Sequence, residues 1–222
     1  FSGKLRVEVS QVRPGAGDTI LDNLSSGSTY DDGYDTFITG EDPNNYVWYS
    51  GKLWRAVSVN NEAKTTKLVT QWNISTITYS SGSTDFEGSY MEEWLNDTTV
   101  DGFLGNLRDY ENFIVTDATW DATLDNTALG NIQRPNGTTT VTAPVGLLNM
   151  YEYQAASEGY IEEDNWGDIV STGYLNNGLY WWTLTPYSSS SVRYVNISGY
   201  AYSYSPSSRS DGVRPSINLK SS

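Results

Sequence analysis

The stretch at residues 45–75, NYVWYSGKLWRAVSVNNEAKTTKLVTQWNIS, alternates apolar and polar residues in three runs. The first two runs are separated by Ser50, Gly51 and Lys52, and the last two by Asn60 and Asn61. Alternation with a period of two, interrupted by turn-forming residues, is typical of neighbouring strands joined by tight turns. The stretch therefore predicts a β-meander.

The composition of the whole chain agrees with a fold built on strands. The 222 residues include 8 Trp, 17 Tyr and 5 Phe, and Thr and Ser are abundant. Aromatic and β-branched residues favour strands over long helices. With 37% hydrophobic residues, a chain of this length can bury a substantial core. We expect an α+β fold that is β-rich and has short helices.

Short helices are predicted after the meander. Ser89 stands three residues before Glu92, a capping box that opens a helix whose Tyr90, Trp94 and Leu95 are expected to face the core. A second short helix is expected around residues 102–112.

A third helix is predicted at APVGLLNMYEYQAA, residues 143–156. Pro144 occupies the favoured first helical position, and Leu147, Leu148 and Tyr151 are expected to share one face. An acidic loop is expected to follow at 158–168.

The two ends of the chain are predicted to differ. The first 44 residues are expected to hold an entry strand at 5–9 and then a long loop, and the lack of an initiator Met predicts a start inside a longer or processed chain. The last third has strand-like segments at 178–186, 192–198, 200–204 and 212–219, with a turn at Ser198 and Gly199.

Charge and missing residue types restrict the function. A net charge of −14 disfavours nucleic acid or an anionic membrane as the main partner, and no stretch is apolar enough to span a bilayer. The chain has no Cys and no His, which removes thiolate catalysis, Cys-ligated metals and the commonest general base. We expect a protein that is not an enzyme and that has no cofactor and no metal site.

Acidic clusters leave a hydrolase as an alternative. A glycosidase needs two carboxylates across a cleft, and acids cluster at Glu92 and Glu93 and at Glu162, Glu163 and Asp164. Neighbouring acids of this kind usually form a solvated surface. The sequence therefore favours binding over chemistry.

Five segments in a fixed order resemble a group of bacterial and viral domains with a C-type lectin-like fold. They are NYVWYSGKLWRAVSV at 45–59, EEWLN at 92–96, GLLNMYEY at 146–153, YWWTLTP at 180–186 and GVRPSINL at 212–219. The resemblance implies an N-terminal strand and loop extension at 1–40 and a C-type lectin-like ligand-binding domain at 41–222. It also implies that a buried carboxylate such as Glu93 or Glu152 holds Arg214. The Glu-Pro-Asn and Trp-Asn-Asp triplets linked to calcium-dependent sugar binding are absent.

The last third of the chain is similar to the variable segment of proteins diversified by retroelements in some phages, archaeal viruses and bacteria. There, randomised Asn codons yield residues such as Tyr, Ser, Asn, Asp, Arg and Gly, but never Trp, Lys, Glu, Gln or Met. The window 183–219 contains none of those five residue types. The resemblance implies a variable region at 180–215, with variation concentrated at 187–191, 193–198 and 200–210.

The Tyr/Ser-rich segment SGYAYSYSPSS at 198–208 is predicted to form a binding surface. A strand there places Tyr200, Tyr202 and Tyr204 on one face, while Val195 and Ile197 of the preceding strand point inward. Tyr and Ser combine apolar area with adaptable hydrogen bonding, as in antibody paratopes. The predicted ligand-binding residues are Tyr187, Ser188, Ser189, Ser190, Ser191, Tyr194, Asn196, Ser198, Tyr200, Tyr202, Tyr204 and Ser207.

The expected function is recognition of a protein or glycan on a cell or viral surface, by a protein that is extracellular, on a cell surface or on a virion. Alternatives are a calcium-independent carbohydrate-binding module, a hydrolase or relative of formylglycine-generating oxidases, and a structural surface domain. The tyrosines also fit ordinary cross-strand aromatic pairs. Trp181, Trp182 and Leu184 are expected to belong to the core.

Overall fold

The computed structural model describes residues 10–11 and 16–221. Its strands are β1 (Ser10–Gln11), β2 (Ser28–Asp31), β3 (Asp35–Thr39), β4 (Tyr46–Tyr49), β5 (Lys52–Asn60), β6 (Thr66–Thr70), β7 (Ser75–Thr78), β8 (Thr119–Asp121), β9 (Thr140–Thr142), β10 (Val145–Gly146), β11 (Ile161–Glu163), β12 (Ile169–Ser171), β13 (Trp181–Ser188), β14 (Ser191–Val195), β15 (Ala201–Tyr204), β16 (Ser210–Val213) and β17 (Ser216–Leu219). Its α-helices are α1 (Ala16–Asp22), α2 (Tyr90–Asn96), α3 (Tyr110–Phe113) and α4 (Met150–Ala155), with a 3-10 turn at Leu104–Asn106.

The larger sheet contains the predicted meander. Its strand order is β1-β4-β5-β6-β17-β10, and the antiparallel strands β4, β5 and β6 form the meander. Ser50 and Gly51 form the two-residue turn between β4 and β5, both with positive φ (50° and 73°). Positive φ at both positions matches the right-handed twist of the flanking strands, which is why a Ser-Gly pair suits this turn. The meander prediction is confirmed.

The N-terminal part joins this same sheet. The long loop predicted for residues up to 44 is wrong, because β2 and β3 form a hairpin and β3 pairs with the end of β5. Phe37 and Ile38 of β3 are buried in the core. The polar composition of the segment obscured these strands, which have few apolar residues, of which Phe37 and Ile38 are fully buried and Tyr30 is partly buried. The entry strand expected at 5–9 lies outside the described residues.

The smaller sheet has the order β15-β14-β13-β16-β7 and holds the Tyr/Ser-rich segments. Trp181 and Trp182 are both buried because successive residues of β13 face opposite sides of this sheet. Trp182 and Leu184 pack in one hydrophobic cluster and Trp181 in another. The prediction that these three residues belong to the core is confirmed.

The predicted helices are partly correct. Ser89 caps α2, accepting a hydrogen bond from the Glu92 N–H at 3.0 Å. Met91 and Leu95 are the buried residues of α2, whereas Tyr90 is exposed. The region 102–112 holds the 3-10 turn and the start of the single-turn helix α3, rather than one continuous helix.

The third helix begins later than predicted. Pro144 precedes the short strand β10, and the helix starts after Asn149, which caps it. Asn149 and Glu152 form a reciprocal capping box: the Glu152 N–H donates to Asn149 Oδ1, and the Asn149 N–H donates to Glu152 Oε2. Leu147 and Leu148 are buried in extended backbone before the helix. Their spacing relative to Tyr151 is that of one face of a helix, which is why the pattern predicts a helix that starts too early. In the predicted acidic loop, β11 pairs with β12 to form a two-stranded ribbon.

Two main sheets, the two-stranded ribbons β8–β9 and β11–β12, and a few short helices make the fold α+β and β-rich, as predicted. Helix α4 packs its Tyr153 ring edge-on against Trp181 at 5.5 Å, beneath the smaller sheet. Helix α2 packs against β7 and β10. The face of the smaller sheet that carries Tyr202 and Tyr204 is left partly open to solvent.

Candidate functional site

The register of β14 and β15 decides which tyrosines share a face. Tyr194 pairs with Tyr202, and Val192 pairs with Tyr204. Because directly paired residues of antiparallel strands lie on the same face, the three tyrosines point the same way. Tyr202 and Tyr204 are 52% and 44% exposed. They therefore extend outward from an edge strand.

Four tyrosine rings form a continuous row, which we call the tyrosine ladder. Its members in spatial order are Tyr180, Tyr194, Tyr202 and Tyr200, with successive ring centroids 5.9, 5.8 and 5.7 Å apart. Tilted and edge-on contacts at such distances are favourable for aromatic rings. The ladder thus provides a coherent aromatic surface across three chain segments.

Arg209 connects Tyr204 to this ladder. Its guanidinium carbon lies 4.9 Å from the ring centroid of Tyr180, 4.8 Å from that of Tyr194 and 5.3 Å from that of Tyr204. Arg209 also forms a 2.6 Å salt bridge with Asp211. We call Tyr180, Tyr194, Tyr204 and Asp211 the arginine cage.

One end of the ladder opens into a cleft of about 400 Å³, which we call the tyrosine cleft. It brings together three of the predicted binding residues, Tyr187, Tyr200 and Tyr202. The rest of its lining comes from the segment after β8, from the end of the β11–β12 ribbon and from β14 and β15: Asn126, Ala128, Leu129, Gly167, Asp168, Ile169, Arg193, Ala201 and Ser203.

Arg193 contributes a buried positive charge to the tyrosine cleft. It donates from Nε to the Asp125 carbonyl at 2.9 Å and from a terminal nitrogen to the Thr127 carbonyl, and its guanidinium lies 5.0 Å from the Tyr187 ring centroid. Burial lowers the pKa of Arg193. These contacts hold the wall of the cleft in place, so Arg193 helps to fix the position of Tyr187 in that wall.

Two tyrosines of the ladder, Tyr194 and Tyr200, have a raised pKa and keep their hydroxyl protons at neutral pH. Burial raises the pKa of Tyr194, with Arg209 opposing the shift, and burial also raises the pKa of Tyr200. Each neutral phenol both donates and accepts hydrogen bonds. The ladder therefore combines apolar area with polar tips.

The predicted serines lie at three turns outside the lining of the tyrosine cleft, and one of them, Ser198, is in the turn between β14 and β15. Ser188, Ser189, Ser190 and Ser191 form the tip of the β13–β14 hairpin, where the hydroxyls of Ser188 and Ser191 are 2.7 Å apart. Ser207 lies in the turn after β15. These serines are available to a large partner that covers the cleft and its surroundings, but not to a small ligand inside it.

The turn between β14 and β15 contradicts one sequence prediction. Ile197 is exposed rather than inward-facing, because β14 ends at Val195 and the period of two ends with it. Asn196 holds the turn, accepting on Oδ1 from the Ser198 and Tyr200 N–H groups at 2.9 and 3.0 Å. Gly199 has φ +82° and lies so close to Ser171 that a Cβ would be 2.2 Å from its carbonyl oxygen.

Tyr194 occupies a different position from the one predicted. It is only 6% exposed, because Arg209 and the neighbouring rings cover it. Tyr194 packs beneath the exposed rings, as expected if it forms an ordinary cross-strand aromatic pair. Tyr202 and Tyr204, in contrast, are exposed as a binding role requires.

Trp166 is a candidate binding residue that sequence reasoning missed. It is 90% exposed in the turn between β11 and β12, next to Gly167 and Asp168 of the tyrosine cleft. Asp164 orders this turn, because its Oδ1 accepts from the N–H groups of Trp166 and Asp168, both at 2.9 Å. The sequence signal was a Trp flanked by the turn-forming residues Asp, Asn and Gly, because a Trp in such a turn is exposed rather than packed in a core.

A second cleft, of about 460 Å³, is polar, and we call it the polar cleft. Four of its charged side chains are paired: Lys67 with Glu152, and Arg134 with Asp35 and also with Asp32. Asp117 and Asp121 line the cleft as well, and Asp121 accepts from the main-chain N–H groups of Thr123 and Gly137. Burial raises the pKa of Asp32, but hydrogen bonds from Tyr151, the main chain and Arg134 outweigh it, so the pKa lies below its usual value. Glu152 also accepts from the Asn149 N–H. The paired carboxylates therefore hold the structure together, because Glu152 links α4 to β6, and Asp32 and Asp35 of the β2–β3 hairpin bind Arg134.

Arg214 is buried as expected, but the predicted carboxylate partner is wrong. It donates to the main-chain carbonyls of Thr70 at 3.1 Å, Leu175 at 2.6 Å and Gln71 at 3.4 Å. Its guanidinium stacks over Trp181, 4.8 Å from the ring centroid. Glu152 instead pairs with Lys67, and Glu93 lies exposed on α2.

Two negative observations concern the described part of the chain. Within residues 10–11 and 16–221, no group of three or more acidic side chains is arranged to hold a metal ion. None of the described helices has the length and hydropathy needed to cross a membrane.

Comparison with known proteins identifies a family without assigning an activity. No curated protein and no solved structure matches the chain significantly. A family profile matches residues 64–221, from the end of the meander through β17, and therefore includes the tyrosine ladder and the tyrosine cleft. The match covers well over half of the chain, so the protein belongs to the family described as a domain of unknown function, DUF6273.

Proposed function

We propose that this protein is a recognition protein, and not an enzyme, whose tyrosine cleft and tyrosine ladder bind a protein on another cell or on a viral surface. The observation that carries the proposal is the cleft of about 400 Å³ that three tyrosines line at the edge of the smaller sheet. The protein itself acts outside the cell, on a cell surface or on a virion.

The chemistry of the surface supports binding of a macromolecule. Tyr and Trp are enriched at protein interfaces because each contributes a large contact area while few torsions become fixed. Here Tyr202, Tyr204 and Trp166 are exposed on ordered strands and turns. A rigid aromatic surface loses little conformational entropy on binding, so most of the contact energy remains available for affinity.

The fold belongs to the same proposal. We infer that the α+β architecture is C-type lectin-like and that a retroelement diversifies the variable region at 180–215. The tip of the β13–β14 hairpin and the exposed side of β15 lie at the surface, where substitutions disturb little packing. Arg193 and Tyr194 are buried, which favours excluding these two positions from the variable set.

Genome comparison tests the diversification. Copies of this gene in related genomes are expected to differ mainly at 187–191, 195–198 and 200–210, beside a reverse transcriptase and a template repeat. Equal variability across the whole domain would contradict this part of the proposal, while leaving ligand recognition to be tested separately.

A matched pair of variants tests recognition. Tyr202→Ala removes a ladder ring that is 52% exposed, whereas Tyr90→Ala removes a ring that is 49% exposed at the start of α2. The wild-type protein is screened against a library of cell-surface proteins, and the affinity of each hit is remeasured with both variants. Tyr202→Ala is expected to weaken binding at least tenfold, or about 1.4 kcal/mol, and Tyr90→Ala to leave it unchanged.

The expected result depends on a fold that both variants retain. Circular dichroism and thermal unfolding check this, and exposed side chains change stability little on average. Equal loss of binding in the two variants, or none in either, would refute the assignment of the ladder as the binding surface.

A calcium-independent carbohydrate-binding module is the second candidate. The observation that favours it is Trp166, 90% exposed beside the tyrosine cleft, since an exposed indole is suited to stacking on a sugar ring. A glycan array probed with the wild-type protein and Trp166→Ala distinguishes the two. Glycan binding that Trp166→Ala removes would favour the carbohydrate module over protein recognition.

A further inference from the structure

The arginine cage has the composition of a binding site for an organic cation. Three tyrosine rings lie within 5.3 Å of the Arg209 guanidinium carbon, and the Asp211 carboxylate completes the site with a salt bridge. Cations are attracted to the electron-rich faces of aromatic rings at such distances, and the attraction strengthens when water is excluded. In this structure the chain's own side chain fills the site.

Asp211 gives independent evidence that the cage requires a cation. Its side chain is 3% exposed, and its second carboxylate oxygen, Oδ2, has no hydrogen-bond partner among the described residues. A buried carboxylate is costly unless a positive charge compensates it. Arg209 provides that compensation from only one side of the carboxylate.

The walls and the occupant belong to different kinds of structure. Tyr194, Tyr204 and Asp211 lie in β14, β15 and β16, and Tyr180 immediately precedes β13. Arg209 follows the turn at 206–208 and precedes β16, and its side chain remains 30% exposed. The cage is therefore fixed by the sheet, while its occupant comes from a connecting loop.

We propose that the arginine cage is a recognition site for the guanidinium group of an arginine on a partner protein, and that Arg209 is a displaceable occupant that competes for it. The identity of this ligand class rests on the recognition function proposed above. The net charge of −14 also favours approach of a cationic segment. A partner's arginine takes the place of Arg209 between the rings and against Asp211.

The competition predicts how affinity depends on Arg209. A tethered group acts at an effective concentration on the order of millimolar, so free cations must exceed it to enter the wild-type cage. Arg209→Ala empties the cage while leaving its four walls in place. This variant is expected to bind a small guanidinium ion at least about tenfold more tightly than the wild type.

The test uses methylguanidinium at low millimolar concentration, below the range in which guanidinium salts denature proteins. A ligand that binds only the folded state stabilises it by an amount that grows with the logarithm of one plus the ratio of ligand concentration to Kd, so tighter binding gives a larger rise in melting temperature. Arg209→Ala is expected to show a concentration-dependent rise, the wild type at least a tenfold weaker one, and Arg209→Ala/Asp211→Asn a loss of most of the response. Methylurea, an uncharged analogue of similar shape, is expected to have no effect.

Two results would overturn the proposal. One is an equal response of the wild type and Arg209→Ala to methylguanidinium, and the other is a response that survives Asp211→Asn. If Arg209→Ala does not fold, the wild type is titrated with N-acetylarginine amide while the Arg209 side-chain Nε–H signal is followed by NMR. Displacement is expected to shift that signal towards the frequency of a solvated arginine, and an unchanged signal at saturating concentration refutes the cage.

The small-cation test is independent of any partner. Methylguanidinium binding to Arg209→Ala, together with a failed partner screen, would retain the cage and refute recognition of a protein. A partner found in the screen, together with no methylguanidinium binding, would retain recognition and refute the cage.

Discussion

Two arginines flank strand β16, and their surroundings differ in kind. Arg214, just after the strand, is fully buried and donates to three main-chain carbonyls beneath Trp181. Arg209, just before the strand, lies among tyrosine rings at the surface and pairs with one carboxylate. Burial lowers the pKa of Arg214 to about 9, whereas the nearby Asp211 outweighs burial and raises the pKa of Arg209.

The difference separates a structural arginine from a candidate recognition element. Arg214 donates to Thr70 in β6, to Gln71 directly after β6 and to Leu175 in the segment before β13. Its side chain therefore links the two main sheets through buried main-chain bonds, which a ligand at the surface cannot replace. The partners of Arg209 are rings and a carboxylate that any guanidinium satisfies equally well. Stacking of an arginine on aromatic rings therefore does not by itself identify a binding site. The decisive feature is whether the polar partners of that arginine can bind another cation in its place.

The largest effect is expected for Arg214→Ala. The substitution leaves buried carbonyls without donors, at a cost of about 1–3 kcal/mol each, so the free energy of unfolding is expected to fall by at least about 3 kcal/mol. Urea denaturation followed by tryptophan fluorescence measures the change. Arg108→Ala, at an exposed arginine, is the control and is expected to change stability by less than about 0.5 kcal/mol.

Arg214→Ala also offers the sharpest way to break the comparison. If the variant kept its melting temperature and lost only ligand binding, Arg214 would be a recognition residue and the contrast with Arg209 would disappear.

A smaller loss of stability is expected for Arg209→Ala. Removing the cation gives up the cation–π contacts and the salt bridge of a partly exposed side chain and leaves the buried Asp211 carboxylate uncompensated, which together cost about 2–3 kcal/mol. The same denaturation experiment measures this loss beside that of Arg214→Ala. A loss as large as that of Arg214→Ala would show that Arg209 is a structural residue, and would count against a displaceable occupant.

A pH-dependent effect is expected from Asp211. Burial raises its pKa above the usual 3.8, and Arg209 only partly opposes this. The protonated carboxyl is thus favoured in the folded state, and this contribution to stability is lost as pH rises from the usual pKa through the raised one.

The pH effect is measured as the difference in unfolding free energy between the wild type and Asp211→Asn, followed from about pH 3 to about pH 7. As the pH rises through the lower part of this range, the wild type is expected to lose stability relative to Asp211→Asn. Arg209→Ala is expected to extend the loss to higher pH, because the opposing positive charge is gone. A difference that does not vary with pH would contradict the burial of an unpaired carboxylate oxygen.

The smallest effect is expected for Arg209→Lys. An ammonium group still fits against aromatic rings and a carboxylate, so the free energy of unfolding is expected to change by less than about 0.5 kcal/mol. Arg214→Lys is the matched comparison, and it is expected to remain strongly destabilised because an ammonium cannot reproduce the planar fork of donors. Similar losses for the two lysine variants would remove the distinction between the two sites.

Local patterns predicted much of the fold. The period of two in β4, β5, β6, β13 and β14, together with turn residues such as Gly51 and Gly199, identified strands whose short-range preferences agree with the final structure. The same reasoning misplaced α4, because Leu147 and Leu148 are buried in extended backbone yet are spaced like a helical face. The Asn149 to Glu152 capping box was the signal for the correct start.

The candidate site was predicted in part. The alternation of Tyr200, Tyr202 and Tyr204 with small residues was enough to indicate an aromatic face. It could not show that Tyr194 is covered, because the covering Arg209 comes from beyond β15. Nor could it connect Trp166 with the tyrosine cleft, since their proximity depends on the β11–β12 ribbon reaching the edge of the smaller sheet.

The sequence by itself determined the α+β class, the meander, the Tyr-rich strands of the smaller sheet and the chemical character of their surface. These properties follow from interactions between residues a few positions apart, through backbone preference and alternation. Only the tertiary structure decided that Arg214 bonds to carbonyls rather than to a carboxylate, and that Arg209 fills a cage of tyrosines. Both depend on contacts between segments distant in the chain, which the register of the sheets and the burial of charge select.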